Sequence, residues 1–141
     1  MKVPTRLSHK PIFGLDDYHL VDGVHDKATT NAKALSVGFS QYNDTHISAK
    51  VFRRDARWSP QSEELPLHRT FDLANITLKA ILMSAGVDVP ETETINPRVV
   101  DSTYKEWVKE YYLQKRGDIL PKIKELRQVM DWFIEHEELV K

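Results

Sequence analysis

The chain contains no cysteine, and this absence excludes several kinds of chemistry. A protein without thiols has no cysteine nucleophile, no disulfide, and no zinc ion or iron–sulfur cluster held by cysteine. The absence is typical of proteins from a reducing compartment, so we expect the cytoplasm. We expect no secretory leader, because Lys10, Asp16 and Asp17 follow the basic N-terminus where an apolar region would be needed.

Glycine is also scarce, and the five glycines stand at positions 14, 23, 38, 86 and 117. No two of them are two residues apart, which excludes the dinucleotide-binding fingerprint, and no two are four apart, which excludes the GxSxG nucleophile elbow. None is followed by Lys-Ser or Lys-Thr, which excludes a P-loop. His136 and Glu137 begin an HExxH pattern, but Val140 replaces the second histidine. With no catalytic signature, we expect a non-catalytic protein without a cofactor.

Neither sign of charge is in large excess, and the formal net charge is -1. Residues 1–69 have a slight excess of cations and residues 70–141 a slight excess of acids. Total charge therefore does not attract nucleic acid, and we do not expect it as a partner. Apolar runs are short as well, since none reaches the roughly 18 residues of a membrane span. We expect no membrane association.

The 141 residues are enough for one domain with its own core, and we assign residues 1–141 to a single domain. Residues 1–69 form its extended half and residues 70–141 its helical half. Apolar residues alternate with polar ones over residues 35–41 and again over residues 47–51, which predicts two strands. Turn-forming residues at 42–45 join them into an antiparallel hairpin. Gly38 indicates a bulge or the close approach of another chain segment.

Three helices are predicted after the hairpin. Residues 70–85 are apolar over most of a helical surface and are followed by Gly86, a typical C-terminal stop. Asn96 and Pro97 begin a second helix that Gly117 ends, and Asp118 begins a third. The short gap predicts a hairpin of the last two helices. With one further strand from residues 11–34, the chain is expected to be a two-layer α+β fold, a small antiparallel sheet packed on about three helices.

The first candidate site combines four cations and two aromatic residues within residues 50–58. Guanidinium groups bind phosphate and an aromatic ring can stack on a base, so this composition suits single-stranded nucleic acid or a nucleotide. The residues concerned are Lys50, Arg53, Arg54, Arg57 and Trp58. Alternatively, strand alternation sends these cations to different faces, where Asp55 and the following glutamates pair with them.

Residues 59–69 extend this candidate site with carboxylates and an imidazole. Ser59 and Pro60 predict a single helical turn that Pro66 ends. A carboxylate could orient the imidazole while arginines hold a carboxylate or phosphate ligand, in a binding protein or an enzyme. The full set of candidate ligand-binding residues is Arg53, Arg54, Arg57, Trp58, Glu63, Glu64, His68 and Arg69. Alternatively, these side chains pair only to hold a long connection on the sheet.

A second candidate site lies in residues 16–26, which are rich in aspartate and histidine. Imidazole and carboxylate groups are ligands for zinc, manganese or iron. The weak metal candidates are His19, Asp22, His25 and Asp26. Gly23 interrupts a helix here and the spacings match no known metal motif, so a loop with turn-forming aspartates explains the same residues. We therefore expect no metal.

Aromatic residues on the last two helices indicate either a core or an interaction surface. The group consists of Tyr104, Trp107, Tyr111, Tyr112, Trp132 and Phe133. Tyrosine and tryptophan are enriched at protein interfaces. Tyr112 lies off the main stripe and is expected to be exposed unless a partner covers it.

Residues 57–73, with the run WSPQSEELPLHR at 58–69, resemble small bacterial domains of unknown function. The resemblance implies a bacterial, cytosolic origin and brings no activity or site residue. Three hypotheses about function remain. We favour a non-catalytic binding or protein-interaction domain that self-associates through the C-terminal helical hairpin. The alternatives are a protein or enzyme for a small anionic ligand at residues 53–69, and a single-stranded nucleic-acid-binding domain.

Overall fold

The computed structural model describes all residues from Met1 to Lys141 and has the predicted α+β architecture. Four antiparallel strands form one sheet in the order β1-β2-β3-β4. The strands are β1 (Lys10–Leu15), β2 (Ala32–Phe39), β3 (Ile47–Arg53) and β4 (Glu64–Pro66). The helices are α1 (Leu67–Ser84), α2 (Lys105–Gln114) and α3 (Arg116–His136), with short 3-10 turns at Tyr18–Leu20, Ser102–Tyr104 and Glu137–Leu139.

The predicted hairpin is confirmed as β2 and β3, and the predicted N-terminal strand as β1. Gly38 lies where β1 and β2 come unusually close. A Cβ atom at this position would lie only 2.0 Å from the backbone carbonyl oxygen of Lys10. The register of β1 shifts between Pro11 and Phe13, next to this contact. The close approach predicted at Gly38 is therefore confirmed.

Strand β4 replaces the helical turn predicted for residues 59–66, so that prediction was wrong. Leu65 pairs with Ala49 of β3, and the backbone N–H of Val51 donates to the Glu63 carbonyl at 2.9 Å. The Ser62 hydroxyl adds a bond to the Val51 carbonyl at 2.5 Å. The backbone N–H and C=O groups of a short segment that are hydrogen-bonded to a neighbouring strand do not need helical hydrogen bonds.

Helix α1 is confirmed and ends as predicted at Gly86, which has a φ of 78°. The N–H of Val87 donates to the Leu82 carbonyl and that of Gly86 to the Met83 carbonyl, which is a Schellman motif. Asn96, however, does not begin a helix. Its side chain closes a turn with the backbone of Thr92, at 2.7 and 2.8 Å, and α2 starts only at Lys105.

The last two helices do not form the predicted hairpin. Lys115 alone separates α2 from α3, and Gly117 lies inside α3 rather than at the end of α2. Helical hairpins usually need a loop of about two to five residues to reverse the chain. Instead, α2 packs mainly against α1 and contacts α3 less extensively. None of the helices combines the length and apolar composition that crossing a membrane requires.

The two faces of the sheet differ in an unusual way. Alternation along the strands and the cross-strand register assign side chains to two faces. The covered face carries Ala32, Ala34, Ser36, Ser48, Lys50, Phe52 and Glu64. The open face carries Phe13, Leu15, Leu35, Val37, Phe39, Ile47, Ala49, Val51 and Leu65. The covered face combines four polar side chains with Ala32, Ala34 and Phe52. The open face carries nine apolar side chains, none of which is buried, and has Arg53 and Glu63 at one end.

Candidate functional site

A buried polar network centred on His9 lies on the covered face. His9 has no exposed surface, and its Nδ1 lies 2.5 Å from Oε1 of Glu64, whose side chain is 1% exposed. The other ring nitrogen, Nε2, lies 3.0 Å from the Ser36 hydroxyl. The Ser48 hydroxyl lies 3.3 Å from Nδ1. We call His9, Ser36, Ser48, Lys50 and Glu64 the His9 network.

Strand register builds this network. Lys50 stands opposite Ser36 in β2 and opposite Glu64 in β4, so three polar side chains lie side by side across the sheet. Lys50 is 4% exposed, and its Nζ donates to the Ser62 carbonyl at 3.4 Å and lies 5.6 Å from the centre of the Phe52 ring. Burial lowers the pKa of Lys50, and the neighbouring glutamates oppose this effect.

Burial also lowers the pKa of His9, against the raising effect of its hydrogen bond to Glu64. A neutral imidazole that donates from Nδ1 to Glu64 must accept from the Ser36 hydroxyl at Nε2. This is the order of groups in a Ser-His-acid triad. Ser36 is only 5% exposed, however, so a substrate carbonyl has almost no access to its hydroxyl. The network therefore holds the N-terminal segment against the sheet.

The sequence did not predict this network, although Lys50 and Glu64 were among the candidate residues. Ser36, Ser48 and Lys50 share one face of the predicted hairpin, and this polar alternation was the available signal. His9 lies 55 residues from Glu64 and 27 from Ser36. No local pattern indicates contacts over such separations.

Arg53 and Glu63 form a bidentate ion pair at the end of the open face. The distances are 2.7 Å from Nε to Oε1 and 2.6 Å from Nη2 to Oε2. A third guanidinium nitrogen, Nη1, donates to the side-chain oxygen of Asn31 at 2.6 Å. The hydrogen bond from Arg53 lowers the pKa of Glu63 to about 2. This arginine is therefore already bound within the chain.

The remaining cations of the first candidate site lie elsewhere. Arg54 stacks on the Trp58 ring, with its guanidinium carbon 5.5 Å from the ring centre, and Trp58 meets Phe52 edge-on. Arg57 is exposed at the turn between them. One face of the Trp58 ring is thus occupied by a guanidinium group.

His68 and Arg69 lie in the first turn of α1, at a polar groove of about 730 Å³ shared with His46. No hydrogen bond or ion pair joins them to Arg53 or Glu63. The structure therefore distributes the eight candidate residues among the His9 network, the Arg53–Glu63 pair, the Arg54–Trp58 stack and this groove.

The aspartates of residues 16–26 are engaged in turns and chain contacts. Asp22 accepts from the Thr30 hydroxyl at 2.6 Å, and Asp26 accepts from the N–H of Ala28 at 2.8 Å. His19 has a buried Nδ1 without a hydrogen-bond partner. These side chains, together with His25, do not converge on a metal-binding geometry.

The aromatic group on α2 and α3 is mostly uncovered. Trp107 and Trp132 are 69% and 67% exposed, and Tyr104, Tyr111 and Phe133 are also exposed. Tyr112, expected to be exposed, is half-buried instead. Most aromatic side chains of these two helices therefore form exposed surface rather than a buried core.

Apolar surface continues from the sheet onto the helices. The open face contains a groove of about 400 Å³ that Glu63 and Thr70 border. Farther along α1, Ala74 and Ile81 line a second groove of about 460 Å³ against α3. Residues 70, 74 and 81 are i, i+4 and i+11, so both grooves adjoin the same side of α1.

The total exposed area agrees with this description. The accessible surface is 10,927 Å², whereas a compact folded monomer of 16.4 kDa exposes about 7,500 Å². Only three apolar residues, Ala32, Ala34 and Phe52, are buried. The apolar grooves are therefore the strongest candidate binding surface in the chain.

Comparison with known proteins gives a family but no function. No curated protein and no solved structure matches the chain. Residues 1–107, which include the block at 57–73, match the model of a family of unknown function named DUF6530, and the chain belongs to that family.

Proposed function

We propose that the chain is a non-catalytic protein-interaction domain that binds a partner protein on the open face of its sheet. The observation that carries this proposal is the inverted burial of the sheet. On one face, His9 of the N-terminal segment covers the polar side chains of Ser36, Ser48 and Glu64, whereas nine apolar side chains on the other face are not buried. Antiparallel sheets normally bury their apolar face and expose their polar one.

The extent of the apolar surface supports a macromolecular partner. The largest exposed apolar patch of a typical monomer covers about 300–600 Å² and is often functional. Five of the nine apolar side chains on the open face are more than a third exposed, and the whole chain exposes roughly 3,400 Å² more polar and apolar surface than a compact monomer. Apolar surface that a partner covers contributes about 25 cal/mol per Å², from which the entropic cost of association is subtracted.

The chemistry of the groove on the open face favours protein over a small anion. Its floor consists of apolar side chains such as Val37 and Val51, with Glu63 at one end. Two cations are near this groove: Lys50, whose Nζ donates to the Ser62 carbonyl, and Arg53, which is bound to the Glu63 carboxylate. We expect the partner to present an apolar helix or strand. The anionic-ligand and nucleic-acid alternatives receive less support, because Arg53, Arg54 and Trp58 engage one another or their neighbours.

The setting of this function is part of the proposal. The absence of cysteine favours the cytoplasm, and the resemblance of residues 57–73 favours a bacterial origin. Self-association through the helices accompanies binding at the sheet.

The test places a charge at the centre of the open face. Val37 is 37% exposed, so Val37→Lys introduces a charge there without filling a closed core. Val100→Lys is the matched control, since Val100 is 81% exposed and lies outside the sheet. We expect wild type and Val100→Lys to retain the same protein from an extract of the source organism, and Val37→Lys to lose it at least tenfold.

An apolar dye supplies a second readout that does not require the partner. Dye fluorescence should rise with wild type and Val100→Lys and fall severalfold with Val37→Lys, at unchanged far-UV circular dichroism. Equal capture by all three proteins, or a wild type that neither binds the dye nor retains a protein, would overturn the proposal.

A further inference from the structure

The groove between α1 and α3 is lined by two apolar stripes with coiled-coil spacing. On α3 the stripe advances in steps of four, three, four and three residues, and on α1 in steps of three, four, three and four. The α3 stripe is Ile119, Ile123, Leu126, Met130 and Phe133, and the α1 stripe is Phe71, Ala74, Leu78 and Ile81, continued by Ala85 directly after the helix. The middle parts of both stripes line the groove, and Phe71, Ala85 and Phe133 lie beyond it. Such spacing forms the seam between helices in bundles and coiled coils.

The seam is open in the single chain. Leu126, Met130 and Phe133 are 41%, 51% and 56% exposed, and no residue of α3 is buried. From residue 124 onward every residue of the chain is exposed. Helices in proteins owe most of their stability to packing of an apolar face, and α3 lacks that packing along its second half.

We infer that a second copy of this chain fills the groove, so that α1 and α3 of two copies form a four-helix bundle. A groove between two helical seams fits a third helix, as in helix-in-groove recognition. The α3 stripe itself has the required spacing. In an isologous dimer each α3 lies in the other copy's groove, and both seams are covered at once.

Charges at the groove are compatible with self-pairing. Lys122 and Arg127 line it together with Asp131, so its rim carries both signs. Two copies related by a two-fold axis can therefore place opposite charges against each other. The net charge of -1 adds almost no repulsion between copies.

The exposed area is in the range that a stable dimer needs. Obligate homodimers bury about 2,000–5,000 Å² in total, and each chain exposes roughly 3,400 Å² more than a compact monomer. Covering the helical groove in both copies leaves the open face of the sheet available for a partner protein, because the two grooves have no lining residue in common. The two proposals concern different surfaces and can fail separately.

The first test measures mass in solution by light scattering coupled to size-exclusion chromatography. Wild type should be a dimer at micromolar concentration, and Met130→Glu should be at least tenfold more dissociated. Trp132→Glu is the matched control, because Trp132 is 67% exposed and lies on the opposite side of α3 from the seam. It should remain a dimer.

The second test uses the absence of cysteine, which makes a single introduced thiol unique. Leu126 is the midpoint of the α3 stripe, so Leu126→Cys should form a disulfide-linked dimer under mild oxidation. Trp132→Cys should stay monomeric on a non-reducing gel. Both variants keep most of the seam, which guards against loss of folding.

Three outcomes would overturn the inference. They are a wild type that is monomeric at every concentration, a dimer that Trp132→Glu but not Met130→Glu dissociates, or cross-linking at residue 132 but not at 126. If the wild type is monomeric but its dye fluorescence still falls with Val37→Lys, only the inference about the dimer fails and the proposed function is retained. A dimer whose Val37→Lys variant behaves as wild type refutes the proposed function alone.

Discussion

The Ser36 hydroxyl lies 3.0 Å from Nε2 of His9, so the second strand of the sheet is bonded to a fully buried imidazole of the N-terminal segment. Nδ1 of the same ring meets Glu64 on the fourth strand. One side chain thus connects two strands that do not neighbour each other in the sheet.

Replacing His9 should therefore destabilise the whole sheet. His9→Ala leaves Glu64 buried without its partner and opens a cavity, which is expected to cost about 3–5 kcal/mol of unfolding free energy. Urea denaturation followed by circular dichroism measures the loss. His136→Ala is the control, because His136 is exposed and contacts only the carbonyl and the ring of Trp132 in its own helix. A loss below 1 kcal/mol for His9→Ala contradicts the structural role.

The pH dependence of stability should carry the signature of His9. Its pKa in the folded protein is lowered from 6.5 by burial, so the unfolded chain binds a proton more readily. The contribution of a neutral, buried His9 to the free energy of unfolding is therefore fully present above about pH 6.5. It decreases as the pH drops below that value towards the lowered pKa. Unfolding free energies measured from pH 8 to pH 5 should show this decline.

His9→Gln separates this effect from that of other groups. Burial also lowers the pKa of His19, while Lys50 and Glu64 are the charged groups packed around His9. The variant should be less stable than wild type at pH 8, and the difference should shrink towards pH 5. Parallel pH profiles would show that His9 does not titrate as described.

The Arg53–Glu63 pair predicts a second effect at acidic pH. The Glu63 pKa of about 2 in the folded protein lies below its ordinary value of 4.5. The pair's contribution is present above pH 4.5 and is lost as the pH falls through about 2. Since both side chains are more than a third exposed, Glu63→Gln should cost only about 1 kcal/mol at pH 7.

Denaturation of Glu63→Gln and wild type at pH 7 and pH 2 checks this prediction. The two proteins should differ at pH 7, and most of this difference should be gone at pH 2, close to the pKa of Glu63 in the folded protein. Glu138→Gln is the control, because Glu138 is exposed and belongs to none of the ion pairs. A difference that persists at pH 2 would assign the effect to packing rather than charge.

Replacing a glycine by alanine should lower stability at Gly38 and raise it at Gly117. Gly38→Ala places a methyl group against the backbone of Lys10, and neither strand can move cheaply, so a loss of about 2–3 kcal/mol is expected. Gly117→Ala places its methyl in open space within α3 and should stabilise by about 0.5–1 kcal/mol. Thermal denaturation measures both, and a tolerated Gly38→Ala would contradict the close approach.

The sequence predicted the parts of the fold that depend on local periodicity. Alternation over residues 35–41 and 47–51 located β2 and β3, and Gly86 marked the end of α1. Strand β4 has three residues, too few to show a period of two. The hairpin of α2 and α3 failed because the glycine at 117 looked like a helix end, whereas the break falls at Lys115.

The candidate site was only partly predictable, because the positions of its side chains depend on strand register as well as on local composition. Composition identified residues 53–69 as rich in charge, and Arg53, Glu63 and Glu64 do make strong contacts. Which face each side chain joins depends on register, and adjacent glutamates go to opposite faces. An alternating strand also has no feature that reveals which face is covered, so the open apolar face of the sheet emerged only from the fold.

The separation of 55 residues between His9 and Glu64 also bears on the order of folding. Contacts distant in sequence form late, because closing the intervening loop costs entropy before the contact stabilises it. During synthesis the first ten residues emerge long before Glu64 and have no acid to bind. Docking of the N-terminal segment is therefore the step that completes the sheet, and an extension of the N-terminus should slow refolding more than one at the exposed C-terminus.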